Sequence, residues 1–158
     1  MNGVHMLFQY NWQVREEWLQ WCRGISASEL TKERAGGMGS FRLTLLHIID
    51  VEYSWIRAQM GKPDIEIDLA SYYTIDEIED LSNKLQQENR EYLSEWTHDI
   101  ENQTVYASWL NQSFTKGEII RHIIVHEIHH IGQLSIWARE MEMKPVSANF
   151  IDRGLADK

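Results

Sequence analysis

The chain has a single cysteine, Cys22, which excludes an intramolecular disulfide. The lack of a disulfide framework suits a reducing compartment, so the expectation is a cytoplasmic protein. Also missing is any run of about eighteen apolar residues, so no membrane-spanning helix is expected and a membrane is not an expected partner. The N-terminal stretch does not read as a signal peptide, because Arg15, Glu16 and Glu17 interrupt its apolar residues and no small-residue cleavage site follows. Positive charge is scarce. Fifteen Lys and Arg stand against 24 Asp and Glu, a net charge of −9, and phosphate backbones repel such a surface unless it gathers a basic patch. The sequence contains no such patch, so nucleic acid is not an expected partner.

What is present points to helices. A length of 158 residues suits one domain over residues 1–158, large enough to bury about 70% of the surface of the unfolded chain. Seven Trp and six Tyr are many for this length, and their mostly helical spacing assigns them to core packing rather than to a repeat. The first long helix is expected from about Val4 to Cys22, carrying Phe8, Trp12, Trp18 and Trp21, with Gly24 as a stop. A short helix around Ser28 to Arg34 precedes the breaker Gly36-Gly37-Met38-Gly39. The second long helix follows from about Ser40 to Met60, closed by Gly61 and Pro63. A capping box, Thr74 with Glu77, opens the third, which runs toward His98. A second box, Thr115 with Glu118, opens the last, which runs to about Met141 before Pro145. Between them Val105 to Phe114 reads as a short strand or hairpin. The fold class is all-α, and four long helices argue for a bundle, an architecture that builds metal sites from inward-facing side chains on different helices.

The last helix carries the chemistry. With His122 set at zero and about 100° per residue, His126 lies near 40°, His130 near 80°, His129 near −20° and Gln133 near 20°. These five polar side chains share one face. Ile120, Ile123, Ile124, Ile128, Ile131 and Leu134 are expected to make the rest of the helix apolar and central. Clustered neutral imidazoles in a half-buried place cost desolvation that a divalent cation offsets by taking their lone pairs. An i, i+4 pair supplies two ligands and needs a third from elsewhere, for which His47 is the candidate; three histidines and a water form a known catalytic zinc arrangement.

A literal HExxH is also present, from His126-Glu127 to His130, the pattern in which helix-borne zinc peptidases use the Glu as general base. Its extended form fails: Gly132 is one place early for the glycine, and Ile136 stands where the third histidine belongs. Glu140 and Glu142 are too close to serve as downstream ligands, and a small helical bundle offers no edge strand to hold an extended peptide. The chain is therefore not expected to be an HExxH peptidase, and Glu127 reads as a supporting or structural carboxylate.

The run His122-Ile123-Ile124-Val125-His126-Glu127-Ile128-His129-His130-Ile131-Gly132-Gln133-Leu134, with Thr115-Lys116-Gly117-Glu118 before it, resembles the C-terminal signature of the DinB-like (DinB/YfiT-type) metalloprotein superfamily. His47-Ile48-Ile49-Asp50-Val51-Glu52-Tyr53-Ser54-Trp55 resembles its upstream element, and the helix pattern matches over nearly the whole chain. The resemblance implies a four-helix bundle with a long crossover between the second and third long helices, often forming a homodimer. It implies metal ligation by His47, His126 and His130. His122 and His129 match positions that are not usually primary ligands and are expected to support the site. Gln133, Asp50 and Glu52 are candidates for orienting ligands or substrate, although Asp50 and Glu52 read equally well as a solvated helix face. Where many relatives carry an arginine after the double histidine, this chain has Ile131.

Three neutral imidazoles leave a cation its charge and an open position, where bound water ionises near pH 7 and a thiol ionises outright. Imidazole ligands accept zinc, nickel, copper or iron, and zinc or nickel is the expected metal. The superfamily includes enzymes that act on low-molecular-weight thiols such as bacillithiol and mycothiol, so the resemblance implies a metal-dependent thiol S-transferase, or else a hydrolase, with a small thiol or electrophile as its partner. The alternative is a non-catalytic, stress-induced metal-binding or interaction protein whose site is closed by a fourth side chain.

Overall fold

A computed structural model describes residues 2–156. Five α-helices and one hairpin follow one another: α1 (Gly3–Cys22), α2 (Ala27–Thr31), α3 (Phe41–Gln59), α4 (Ile75–Glu95), β1 (Thr104–Ala107), β2 (Gln112–Thr115) and α5 (Lys116–Glu140). Each helix starts where a polar side chain accepts an otherwise orphaned N–H: Asn2 from His5, Ser26 from Glu29 and Ser40 from Leu43. Thr74–Glu77 and Thr115–Glu118 close the two reciprocal capping boxes expected at α4 and α5. α4 stops at Glu95 rather than near His98, which instead begins a 3₁₀ turn, His98–Ile100. The short second helix, Ala27–Thr31, begins one residue before its expected start and ends three before Arg34.

The four long helices pack in a ring, α1 against α4 and α5, and α3 against the same two. The chain from Gly61 to Thr74 crosses between α3 and α4, pinned by Arg42, which donates to the carbonyls of Tyr72 (2.6 Å) and Leu69 (2.5 Å). β1 and β2 pair antiparallel, Thr104 opposite Thr115 and Ala107 opposite Gln112, realising the expected hairpin between α4 and α5. After α5 the tail returns along α1. There the Tyr10 hydroxyl donates to the carbonyl of Ala148 (2.5 Å) and the Trp21 indole to that of Lys144 (2.9 Å).

The apolar interior is not continuous. One cluster gathers Trp18, Phe41, Leu45, Ile78, Leu134 and Trp137; the other gathers Phe8, Trp55, Leu93, Trp96, Ile120 and Ile123. Along every long helix the residue between the two clusters is polar: Arg15 on α1, Glu52 on α3, Ser82 and Asn89 on α4, Glu127 on α5, each no more than 2% exposed. Arg15 donates twice to Glu127, from Nε (2.9 Å) and Nη2 (2.6 Å), and from Nη2 to Glu52 (2.7 Å). Asn89 (2.8 Å) and the Trp12 indole (3.2 Å) also donate to Glu52. Charges taken this far from water persist only when paired and hydrogen-bonded, and this layer meets both conditions while joining all four helices. Among the described residues no helix is long and apolar enough to cross a membrane.

Candidate metal centre

The histidine row of α5 is less uniform than its spacing. Successive i, i+4 positions drift about 40° around a helix, so the row winds from solvent toward the core: His122 is exposed, His126 half-buried and His130 only 9% exposed. His47, half-buried on α3, faces the inner end of the row. One ring nitrogen of each of His47, His126 and His130 lies within 4.8 Å of one from the other two, and among the described residues no further His, Cys, Asp or Glu joins this group. The Nε2 atoms of His47 and His126 are 3.1 Å apart. Three nitrogens about 2.1 Å from one tetrahedral cation stand about 3.4 Å from each other, so the donor set fits such an ion after small side-chain adjustments.

The surroundings favour lone pairs over protons. Burial, and then the neighbouring His130, His47, His122 and His129, push the His126 imidazole down to about 4. Burial and His130 also lower His47. Both rings are therefore neutral at pH 7 and free to coordinate. On His130, Nδ1 lies 2.7 Å from Oε1 of Gln133. An amide oxygen only accepts, so Nδ1 carries the proton and Nε2 keeps the lone pair for the centre of the cluster.

Gln133 is itself held by a segment that the sequence marked only as a chain break. Gly37 packs so closely that a β-carbon there would lie 2.5 Å from Gln133 Oε1 and 3.2 Å from the ring of Trp137, and its φ is +53°. The Trp137 indole donates to the carbonyl of Ala35 (3.0 Å), fastening the glycine loop to α5.

The other site candidates are placed as follows. His129 is exposed, with its ring centroid 5.4 Å from that of His130. The His122 ring lies 5.8 Å from His126 and 5.7 Å from Trp55. Asp50 is half-buried on α3, and burial, with Asp64 and Glu66 beside it, raises its carboxyl above the usual range. Glu52 is neither on a solvated face nor in contact with a histidine; its oxygens are taken by Arg15, Asn89 and Trp12 in the polar layer. Glu127 is 1% exposed and bound to Arg15. Burial, opposed by Arg15 and assisted by Glu52, pushes it up to about 7. Both of its oxygens are taken by Arg15 in the polar layer, which is why the HExxH pattern does not put a free base beside the histidines. Ile128, expected in the core, is 42% exposed, because the apolar arc of α5 centres on Glu127 instead. Arg15 was missed. Yet with Trp12 at zero it falls near −60°, midway along the arc from Trp12 to Trp18.

The DinB family model matches residues 1–154. The uncharacterized protein YizA of Bacillus subtilis (strain 168) is 49% identical over 149 residues, a span covering 94% of this chain and 94% of that protein.

Proposed function

The chain belongs to the DinB family, and on that premise we propose that it is a four-helix bundle that holds a divalent cation, zinc or nickel, on His47, His126 and His130 and acts as a metal-dependent enzyme on small thiols or electrophiles. The observation that carries the reading is the meeting of His47 Nε2 and His126 Nε2 at 3.1 Å, with His130 completing the set. Such a cation, when bound, supplies positive charge and an open position that ionises a thiol or water. The chain's own residues supply the rest. Gln133 fixes the His130 tautomer, burial keeps His126 neutral, and His122 and His129 flank the ligands on the solvent side.

No fourth His, Cys, Asp or Glu among the described residues joins the three, which favours turnover over a closed structural site. Val125, Ile128 and Ile136, which are 59%, 42% and 59% exposed on the outer side of α5, support a homodimer as part of the proposal. The test is metal titration of protein purified without an affinity tag. His47→Ala and His126→Ala are each expected to weaken zinc binding by more than about a hundredfold. Reconstituted protein is then assayed for conjugation of electrophiles with low-molecular-weight thiols, with loss of turnover expected in His126→Ala. A wild type that binds metal tightly and turns over neither thiols nor esters decides for the non-catalytic alternative.

A further inference from the structure

Beyond the outer end of the histidine row, Trp55 on α3, Leu110 and Phe114 of the hairpin, and Glu118, Ile119 and His122 on α5 line a half-open cavity of about 270 Å³. Its walls are mainly rings and aliphatic chains. Trp55 stands edge-on to Trp109, Phe114 and His122, at centroid distances of 4.7, 5.8 and 5.7 Å. Its rim is apolar, with Leu110 at the hairpin tip 51% exposed. His122 is shared between this cavity and the metal candidate, with its ring 5.8 Å from that of His126.

Two features define the occupant. A dry cavity of about 150 Å³ lined by aliphatic and aromatic groups accepts benzene, so one nearly twice that size takes one or two fused rings. The single carboxylate of the lining, Glu118, is fixed in its ionised form. The Thr115 N–H (2.9 Å) and hydroxyl (2.8 Å) both donate to it, and hold it below the usual carboxylate range. Glu118 is exposed, so the repulsion it offers an anion in the cavity is screened by solvent but keeps its sign. We propose that this cavity binds the neutral aromatic part, one or two fused rings, of a small organic ligand. That the ligand's reactive end then reaches His126 rests on the metal-site reading above, but the binding itself does not.

The experiment uses the full metal-free chain, titrated calorimetrically with 1-naphthol and with 1-naphthoate. Saturable one-to-one binding of 1-naphthol is expected, with 1-naphthoate weaker by about threefold. Leu110→Asp is expected to weaken 1-naphthol by about tenfold, and the milder Leu110→Ala by about fivefold, with unchanged melting because the residue is at an exposed lip. His126→Ala should leave 1-naphthol affinity within about twofold. Absence of saturable binding, equal affinity for the two probes, indifference to both Leu110 variants, or loss of binding in His126→Ala would each overturn the proposal. If 1-naphthol binds as described while zinc does not, the metal reading fails and this one stands.

Discussion

Arg15 brings one positive charge to two carboxylates at a level where water does not reach, so the three residues are not equivalent to mutation. Replacing Arg15 leaves Glu52 and Glu127 facing each other unpaired. Replacing Glu127 leaves Arg15 with Glu52, and Glu127 is already pushed up to about 7 by its burial. Chemical denaturation should therefore show Arg15→Met costing about 3–5 kcal/mol, and the near-isosteric Glu127→Gln only about 1–2 kcal/mol. A larger cost for Glu127→Gln would reverse this assignment of charge. The legibility of single residues followed the same division. His47, His126 and His130 stood out because several imidazoles at helical spacing on an apolar helix cost desolvation that little besides a cation recovers. Arg15 did not, and Glu52 was singled out for a role beside the histidines or on a solvated face rather than for its contact with Arg15, because only partners 37 and 112 positions away give Arg15 its meaning.

At the scale of elements, the helix starts were readable because caps are local chemistry: a Thr and a Glu three residues apart close their own box whatever surrounds them. The glycine loop was not. Its sequence announces a break, but its contact with Gln133 spans almost a hundred residues and exists only in the folded chain. A methyl group at position 37 must displace Gln133 and also strains a backbone held at φ +53°. Gly37→Ala is accordingly expected to lower zinc affinity about tenfold by freeing the His130 ring. Gln133→Ala, which removes the same hydrogen bond without backbone strain, should match it in zinc titrations yet melt higher than Gly37→Ala.

For the whole molecule, acid and metal act on one balance. An unfolded histidine titrates near about 6.5, whereas folded His126 is held down to about 4. Between those values the unfolded chain binds the extra proton, so the contribution of His126 is full above pH 6.5 and is lost as pH falls toward 4. Glu127 has the opposite sign: its folded value is raised to about 7, so its contribution fades as pH rises from the unfolded value of about 4.3. Melting of metal-free wild type against His126→Ala across pH 4–7 separates the two, and the acid loss should be smaller in the variant, which keeps the contribution of lowered His47. Zinc at a hundredfold excess over its Kd should stabilise the neutral protein by about 2.7 kcal/mol, a rise in Tm of about 5–10 °C, and His47→Ala should abolish that rise. The overall helical architecture was legible because hydrophobic periodicity is a one-dimensional signal. The division of the core into two clusters was not, because it is visible only when the helices stand side by side.

Glu127 and His126 are neighbours on one helix, the first locked to Arg15 in the interior and the second turned outward to His47. To swing His126 nearer or farther by rolling α5 would tear Glu127 off its guanidinium, and sliding the helix would do the same. The spacing of the two backbones that carry His47 and His126 is thus dictated from inside the protein. On the metal-binding reading proposed above, an ion would find only side-chain adjustment left to it, and geometric tolerance would then weigh in the choice among metals.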